Sequence, residues 1–187
     1  MDTITEQALV EQAKRDPTAF GELYHRYVNR IYNYHYRHTG NQQEAEDLTS
    51  RTFYRALRSL RSYKDRGGTF QAWLFRIAHN LLVNFYRDRS RHPQVQLDAA
   101  EWLGWTATGD PHQEVASAEE VARLREVIAA LPEERKTLLI LKFVEQLTNA
   151  EIAVVLGRTE GAIKALYHRT LLSLRATMLE EVDEGEA

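Results

Sequence analysis

Arg76, Asn80, Asn84 and Arg87 recur at four- and three-residue steps, and Lys164, His168 and Arg169 form a second cationic stripe with Arg158 just ahead of it. Helical spacing of this kind gathers each set on one face of a helix. Arginines flanking two amides can hydrogen-bond phosphates and base edges, which is the chemistry of nucleic-acid contact. Asparagine is a weak helix former, so a merely solvated face would not favour it. Upstream of the first set lies "SYKDRGGTF", where Tyr63 and Phe70 are interleaved with Lys64 and Arg66. Rings beside cations suit unstacked bases, each stacked base contributing about 1 to 3 kcal/mol. A third set, Asp47, Arg51, Arg55 and Arg58, makes a charged ridge. It reads either as a solvated face held by i,i+4 pairs of about 0.2 to 0.5 kcal/mol each or as a docking surface, and helical geometry alone does not separate the two.

The elements that must carry these side chains are helices. Thr148 and Glu151 form a T-x-x-E capping box, and Ile152, Val155 and Leu156 give the helix that follows an inward face. Gly157 can take the positive φ at which that helix stops, and Thr159 can cap the next one. There Ile163, Leu166, Tyr167, Thr170, Leu171 and Leu174 recur at helical spacing opposite the cationic stripe. The capping and the short turn favour a DNA-reading helix-turn-helix over the alternative, an αα-hairpin with a solvated basic face. Nearer the N-terminus, Asp16-Pro17 opens a helix in which Phe20, Leu23, Tyr24, Tyr27, Val28 and Ile31 share a face that reads as core. Residues from about Gln43 to Leu60 turn Ala45, Leu48, Thr52, Ala56, Leu57 and Leu60 inward. A further helix places Phe70, Trp73, Leu74, Ile77, Leu81, Leu82 and Phe85 opposite the Arg76–Arg87 face.

The net charge of the 187 residues is -3, yet charge is unevenly spread. From Arg51 to Arg91 ten basic residues stand against Asp65 and Asp88, a local net of +8. From His92 to Val121 there is no Lys or Arg, while Asp98, Glu101, Asp110, Glu114, Glu119 and Glu120 are acidic among scattered Pro and Gly. That stretch reads as a connector. The expected fold is therefore all-α: a helical domain over residues 1–91, an acidic linker over 92–116, a helical helix-turn-helix domain over 117–179 and a short acidic tail over 180–187. The absence of Cys excludes disulfides and thiolate metal sites and suits a reducing cytoplasm. No signal-peptide pattern and no apolar run of about 20 residues appears, so membrane insertion is not expected.

Three segments in this order carry a family resemblance: "DPTAFGELYHRYVNRIYNYHYRHTGNQQEAEDLTSRTFYRAL", "TFQAWLFRIAHNLLVNFYRDRSR" and "LPEERKTLLILKFVEQLTNAEIAVVLGRTEGAIKALYHRTLLSLR". Together they resemble a bacterial RNA polymerase sigma factor of the extracytoplasmic-function (ECF) type. The resemblance implies a protein that binds core RNA polymerase and directs promoter recognition, DNA melting and transcription initiation. It implies that Asp47, Leu48, Arg51, Thr52, Phe53 and Arg55 dock on the polymerase clamp. It further implies that Tyr63, Lys64, Phe70, Trp73, Arg76, Asn80, Asn84, Arg87 and Arg89 melt and read the minus-ten element. Lys164, Ala165, His168 and Arg169 are then expected to read the minus-thirty-five element as duplex, with Lys142, Arg158 and Thr159 near phosphates. Asn84 stands where the family usually has Asp, and Gly161-Ala162-Ile163 where it usually has Gly-Thr-Val.

The resemblance also implies a cytoplasmic protein held inactive by an anti-sigma factor, and an acidic linker threaded through the polymerase channels in imitation of RNA. Within that linker, Trp102 and Trp105 fit either this role or a local hydrophobic cluster. A free-standing helix-turn-helix regulator remains the rival reading; it accounts for residues 148–175 and leaves the loop aromatics and the Arg76 face unused. A helical enzyme has less to rest on, because there is no H-E-x-x-H, no phosphate-binding glycine loop and no clustered carboxylate-histidine set among the seven scattered histidines. No metal, nucleotide or other cofactor is expected.

Overall fold

The computed structural model of the chain describes residues 5–64, 68–89, 123–124 and 126–185. Its elements are helices, and no strand occurs among the described residues. The first four are α1 (Glu6–Arg15), α2 (Phe20–Thr39), α3 (Gln42–Ser59) and α4 (Phe70–Arg89). The last three are α5 (Glu133–Leu139), α6 (Asn149–Leu156) and α7 (Glu160–Gly185). They form two small helical domains.

Local chemistry sets the helix ends. Thr5 caps α1, and Asp16 caps the 3₁₀ turn Pro17–Ala19 by accepting from the Thr18 amide at 2.9 Å. α2 stops at Gly40, whose φ of 61° is left-handed, and Asn41 Oδ1 then accepts from the Glu44 amide at 3.0 Å to open α3. The expected Thr148–Glu151 capping box is present in full, Gly157 closes α6 at φ 64°, and Thr159 accepts from the Ala162 amide at 3.2 Å to start α7. Between α5 and α6, residues Ile140–Val144 form a π turn that sequence spacing does not announce.

Helix α7 runs through Gly185 instead of ending near Leu179, so most of the stretch read as an acidic tail is helical. Glutamate is a strong helix former, and a run of them extends a helix already begun. The connector at 92–116, with Trp102 and Trp105, lies outside the described residues.

Packing follows the apolar stripes. Leu23, Tyr27, Ile31 and Tyr34 of α2 meet Leu48, Phe53 and Ala56 of α3 and Phe70, Leu74, Phe75, Ala78 and Leu81 of α4. The same core continues without a break into Leu138, Ile140, Leu141, Leu147, Ile152, Val155, Ile163 and Leu166, so the two domains are packed against one another. Three residues read as inward are not: Tyr24 is 40%, Leu57 42% and Leu171 39% exposed. They sit at the edges of their stripes, where the helical period rolls side chains to the surface.

Polar groups inside this core are only partly paired: His35 Nδ1, Arg37 Nε and His38 Nε2 are buried without a hydrogen-bond partner. His35, fully buried, has Nε2 3.1 Å from Thr52 Oγ1, whose hydroxyl donates to the Leu48 carbonyl. His79 Nδ1 lies 3.0 Å from the hydroxyl of buried Tyr34. Burial, reinforced by nearby His38, pulls the His35 pKa down to about 3 and that of His79 down to about 4. Both imidazoles are neutral in the folded chain near neutral pH.

Candidate nucleic-acid interface

The ridge of α3 is exposed at Asp47, Arg51 and Arg55, and Arg51 Nη1 donates to Asp47 Oδ2 at 3.3 Å. Leu48, Thr52 and Phe53, which the resemblance places on the same docking face, are instead buried at 1%, 0% and 5% exposure. They lie on the inward side of α3, packed beneath the ridge. Next to the ridge is a groove of about 650 Å³ lined by Arg51, Tyr54, Arg55, Arg58 and Ser59 of α3 and by Ile77 and Asn80 of α4. Arg58 lies 5.6 Å over the Tyr54 ring and donates to its hydroxyl at 3.2 Å. Sequence spacing separates these residues into two sets; the packing of α3 on α4 joins them.

Along α4, Arg76, Asn80 and Arg87 are exposed and Asn84 is half-buried. The Arg89 side chain falls outside what the structure describes, as do residues 65–67 of the preceding loop. Lys64 is exposed. The aromatic rings of that loop are not displayed for stacking as the sequence leads one to expect. Tyr63 is 9% and Phe70 4% exposed, and with half-buried Trp73 they form a cluster whose centroids are 4.9 to 6.0 Å apart. Each ring removes more apolar surface from water by packing on the other two than by facing solvent. Lys14 Nζ covers the Tyr63 ring at 5.2 Å, and the Tyr63 hydroxyl donates to the Gly68 carbonyl. Base stacking on Tyr63 or Phe70 therefore requires this cluster to open.

On the helix pair, Lys164, Ala165, His168 and Arg169 are all exposed on α7, spaced so that they share one face. Three cations of this region have partners: Lys164 Nζ is 2.7 Å from Glu160 Oε1, Arg158 pairs with Glu134, and Lys142 Nζ donates to Asn149 Oδ1 at 3.1 Å. Glu134 and Glu160 were not singled out in the sequence. Both pairs are partly exposed and readily exchanged for phosphate contacts. Thr159 is an exposed residue whose hydroxyl is engaged in capping the start of α7.

Among the described residues no group of histidine, aspartate and glutamate is arranged to hold a metal ion, and no helix is long and apolar enough to cross a membrane. The geometry is that of a transcription factor built from two helical domains: a cationic helix face with a groove beside it on one, and a capped helix-turn-helix on the other.

Sequence comparison names the class. Residues 23–92 match Sigma-70 region 2 and residues 122–174 match Sigma-70, region 4. The chain is 35% identical to the ECF RNA polymerase sigma factor BldN of Streptomyces coelicolor over 92% of its own length and 66% of BldN. It is 32% identical to the ECF RNA polymerase sigma factor SigW of Bacillus subtilis over 94% of its length and 97% of SigW. In fold it is similar to the sigma factor RpoE in a co-crystal with the anti-sigma factor NepR from Bartonella quintana, with a TM-score of 0.63 at 18% identity, covering 85% of this chain and 96% of that one. The chain belongs to the ECF RNA polymerase sigma factors. It is a transcription initiation factor, and the reading as a free-standing regulator is not favoured.

Proposed function

We propose that residues 1–91 bind core RNA polymerase and the minus-ten element, and that residues 117–179 read the minus-thirty-five element. The observation that carries this division is that each domain presents its own cationic, solvent-facing helix surface: Arg76, Asn80 and Arg87 on α4, and Lys164, His168 and Arg169 on α7. Melted strands need cations beside a groove, and the α3–α4 surface supplies both. Duplex reading needs a capped helix with its first turns exposed, which α7 supplies. Asp47, Arg51 and Arg55 form the polymerase-docking ridge. Lys142 and Arg158 lie at the edges of the duplex-reading face, where phosphates pass. The chain works in the cytoplasm, without catalysis of its own, and is held in check by an anti-sigma protein; the similar fold of RpoE is seen in complex with the anti-sigma factor NepR.

Two substitution experiments divide these assignments. Asp47→Ala with Arg51→Ala exchanges two exposed residues for good helix formers, so the fold is expected to stand while affinity for core polymerase falls about tenfold, for a loss of about 1.4 kcal/mol. A pull-down showing wild-type core affinity would remove the ridge from the docking surface. Lys164→Ala with Arg169→Ala is expected to weaken binding of minus-thirty-five duplex and to lower the slope of log affinity against log salt by about 2. An unaltered gel shift and an unaltered salt slope would remove α7 from the DNA-reading surface.

A further inference from the structure

Helix α4 carries one exposed residue that neither core packing nor charge accounts for. Val83 is 49% exposed, and among the described residues it is the one large apolar side chain of α4 turned to solvent. Its neighbours Leu81, Leu82, Phe85 and Tyr86 belong to the apolar core or pack against it. A helix turns about 100° per residue, so Val83 falls on the same face as Arg76, Asn80 and Arg87. It stands three residues after Asn80 and four before Arg87, in the middle of the cationic stripe.

Single exposed apolar residues are ordinary on a protein surface. This position is less so, because valine is a weak helix former and a face that only meets water would favour Ala, Lys or Glu there. On a helix its branched side chain is held in essentially one rotamer, so little freedom is lost when it is covered. The arginines on either side decide what covers it. A hydrophobic protein surface would have to desolvate both guanidinium groups, whereas nucleic acid supplies a phosphate for each. Within a nucleic acid, the apolar group on a base edge is the C5-methyl of thymine.

We propose that Val83 contacts the C5-methyl group of a thymine in the minus-ten element and so selects thymine at one position. The proposal rests on the assignment of the α4 face to that element and adds a reader to it. Asn80 can hold adenine through its paired donor and acceptor, and Val83 takes the thymine beside it. At this spacing their Cβ atoms lie about 5 to 6 Å apart, one to two steps of a strand whose bases are about 3.4 Å apart. The methyl edge is displayed in the major groove and stays available when the strands part.

Deoxyuridine tests the contact, since it pairs as thymine does and lacks only the methyl group. Open-complex formation is measured with core polymerase and the full chain on a promoter fragment that the factor itself selects from a genomic library. The thymines of its minus-ten element are replaced one at a time by deoxyuridine. One replacement is expected to lower open-complex formation by the wild-type chain about fourfold, the equivalent of one methyl group returned to water. Val83→Ala, an exposed change to a better helix former, is expected to fold and to lose about as much on the unmodified promoter. The variant should be indifferent to deoxyuridine at that one position and keep wild-type core affinity in a pull-down. The sensitive position is expected beside the one whose preference relaxes in Asn80→Ala. An element without thymine, deoxyuridine tolerated at every position, or equal deoxyuridine losses for both proteins would each overturn the contact while leaving the α4 assignment standing. Reduced core affinity of Val83→Ala would overturn it by giving the residue to polymerase. If the wild-type chain forms no open complex on any fragment, the sigma reading fails and the contact with it.

Discussion

Lowering the pH from 7 to 5 is expected to remove about 3 to 4 kcal/mol of folding stability, a large share of the 5 to 15 kcal/mol typical of a folded domain. The cause lies with His35 and His79, whose pKa values are held at about 3 and about 4, against 6.5 for an ordinary imidazole. Between about pH 6.5 and pH 4 the unfolded chain binds these two protons and the folded chain does not, so stability falls as pH falls through that window. His38, also pulled down by burial, adds to the loss. Glu145 opposes it, because burial raises its carboxyl and lets the folded chain take up a proton earlier. Urea midpoints measured from pH 7 to pH 5 should decline steadily, and His79→Gln, which cannot titrate there, should remove about half of the decline. Flat midpoints across this range would show that the buried imidazoles titrate as they do in water.

Replacing Arg76 and Asn80 together by Ala is expected to cut initiation about 30-fold or more, since bidentate base and phosphate contacts contribute about 1 to 3 kcal/mol each. Both residues are exposed on α4, and alanine favours a helix more than asparagine does, so folding should be preserved. Core affinity should also be preserved, because neither side chain belongs to the Asp47–Arg51 ridge. Single-round transcription paired with a core pull-down separates these effects. Wild-type initiation by the double variant would remove this face from the minus-ten surface.

These outcomes depend on features that were unequally legible in the sequence. The capping box at Thr148 and Glu151, the stop at Gly157 and the pair Asp47–Arg51 are local, and each follows from two or three residues within one turn. The exposed Arg76–Asn80 face follows from a stripe along a single helix. Burial of Tyr63 and Phe70 is different in kind: residue type suits stacking on bases and stacking on Trp73 equally, and only three-dimensional packing chooses between them. Leu48 and Thr52 carried two readings, inward by helical period and outward by family resemblance, and the structure settles their position as inward. The groove that unites Arg55 with Asn80 requires α3 to pack on α4. Least legible of all is Arg30 with Glu145, 115 positions apart and joined at the close of a π turn, where no period marks a glutamate for burial.

The most direct test of the sigma reading is transcription in vitro from a fragmented genomic library, comparing core RNA polymerase alone with core plus this protein. The account predicts new, discrete start sites, each preceded by the same two elements at a fixed spacing. No new start sites from protein shown to be folded, together with footprints that form without polymerase, would contradict it.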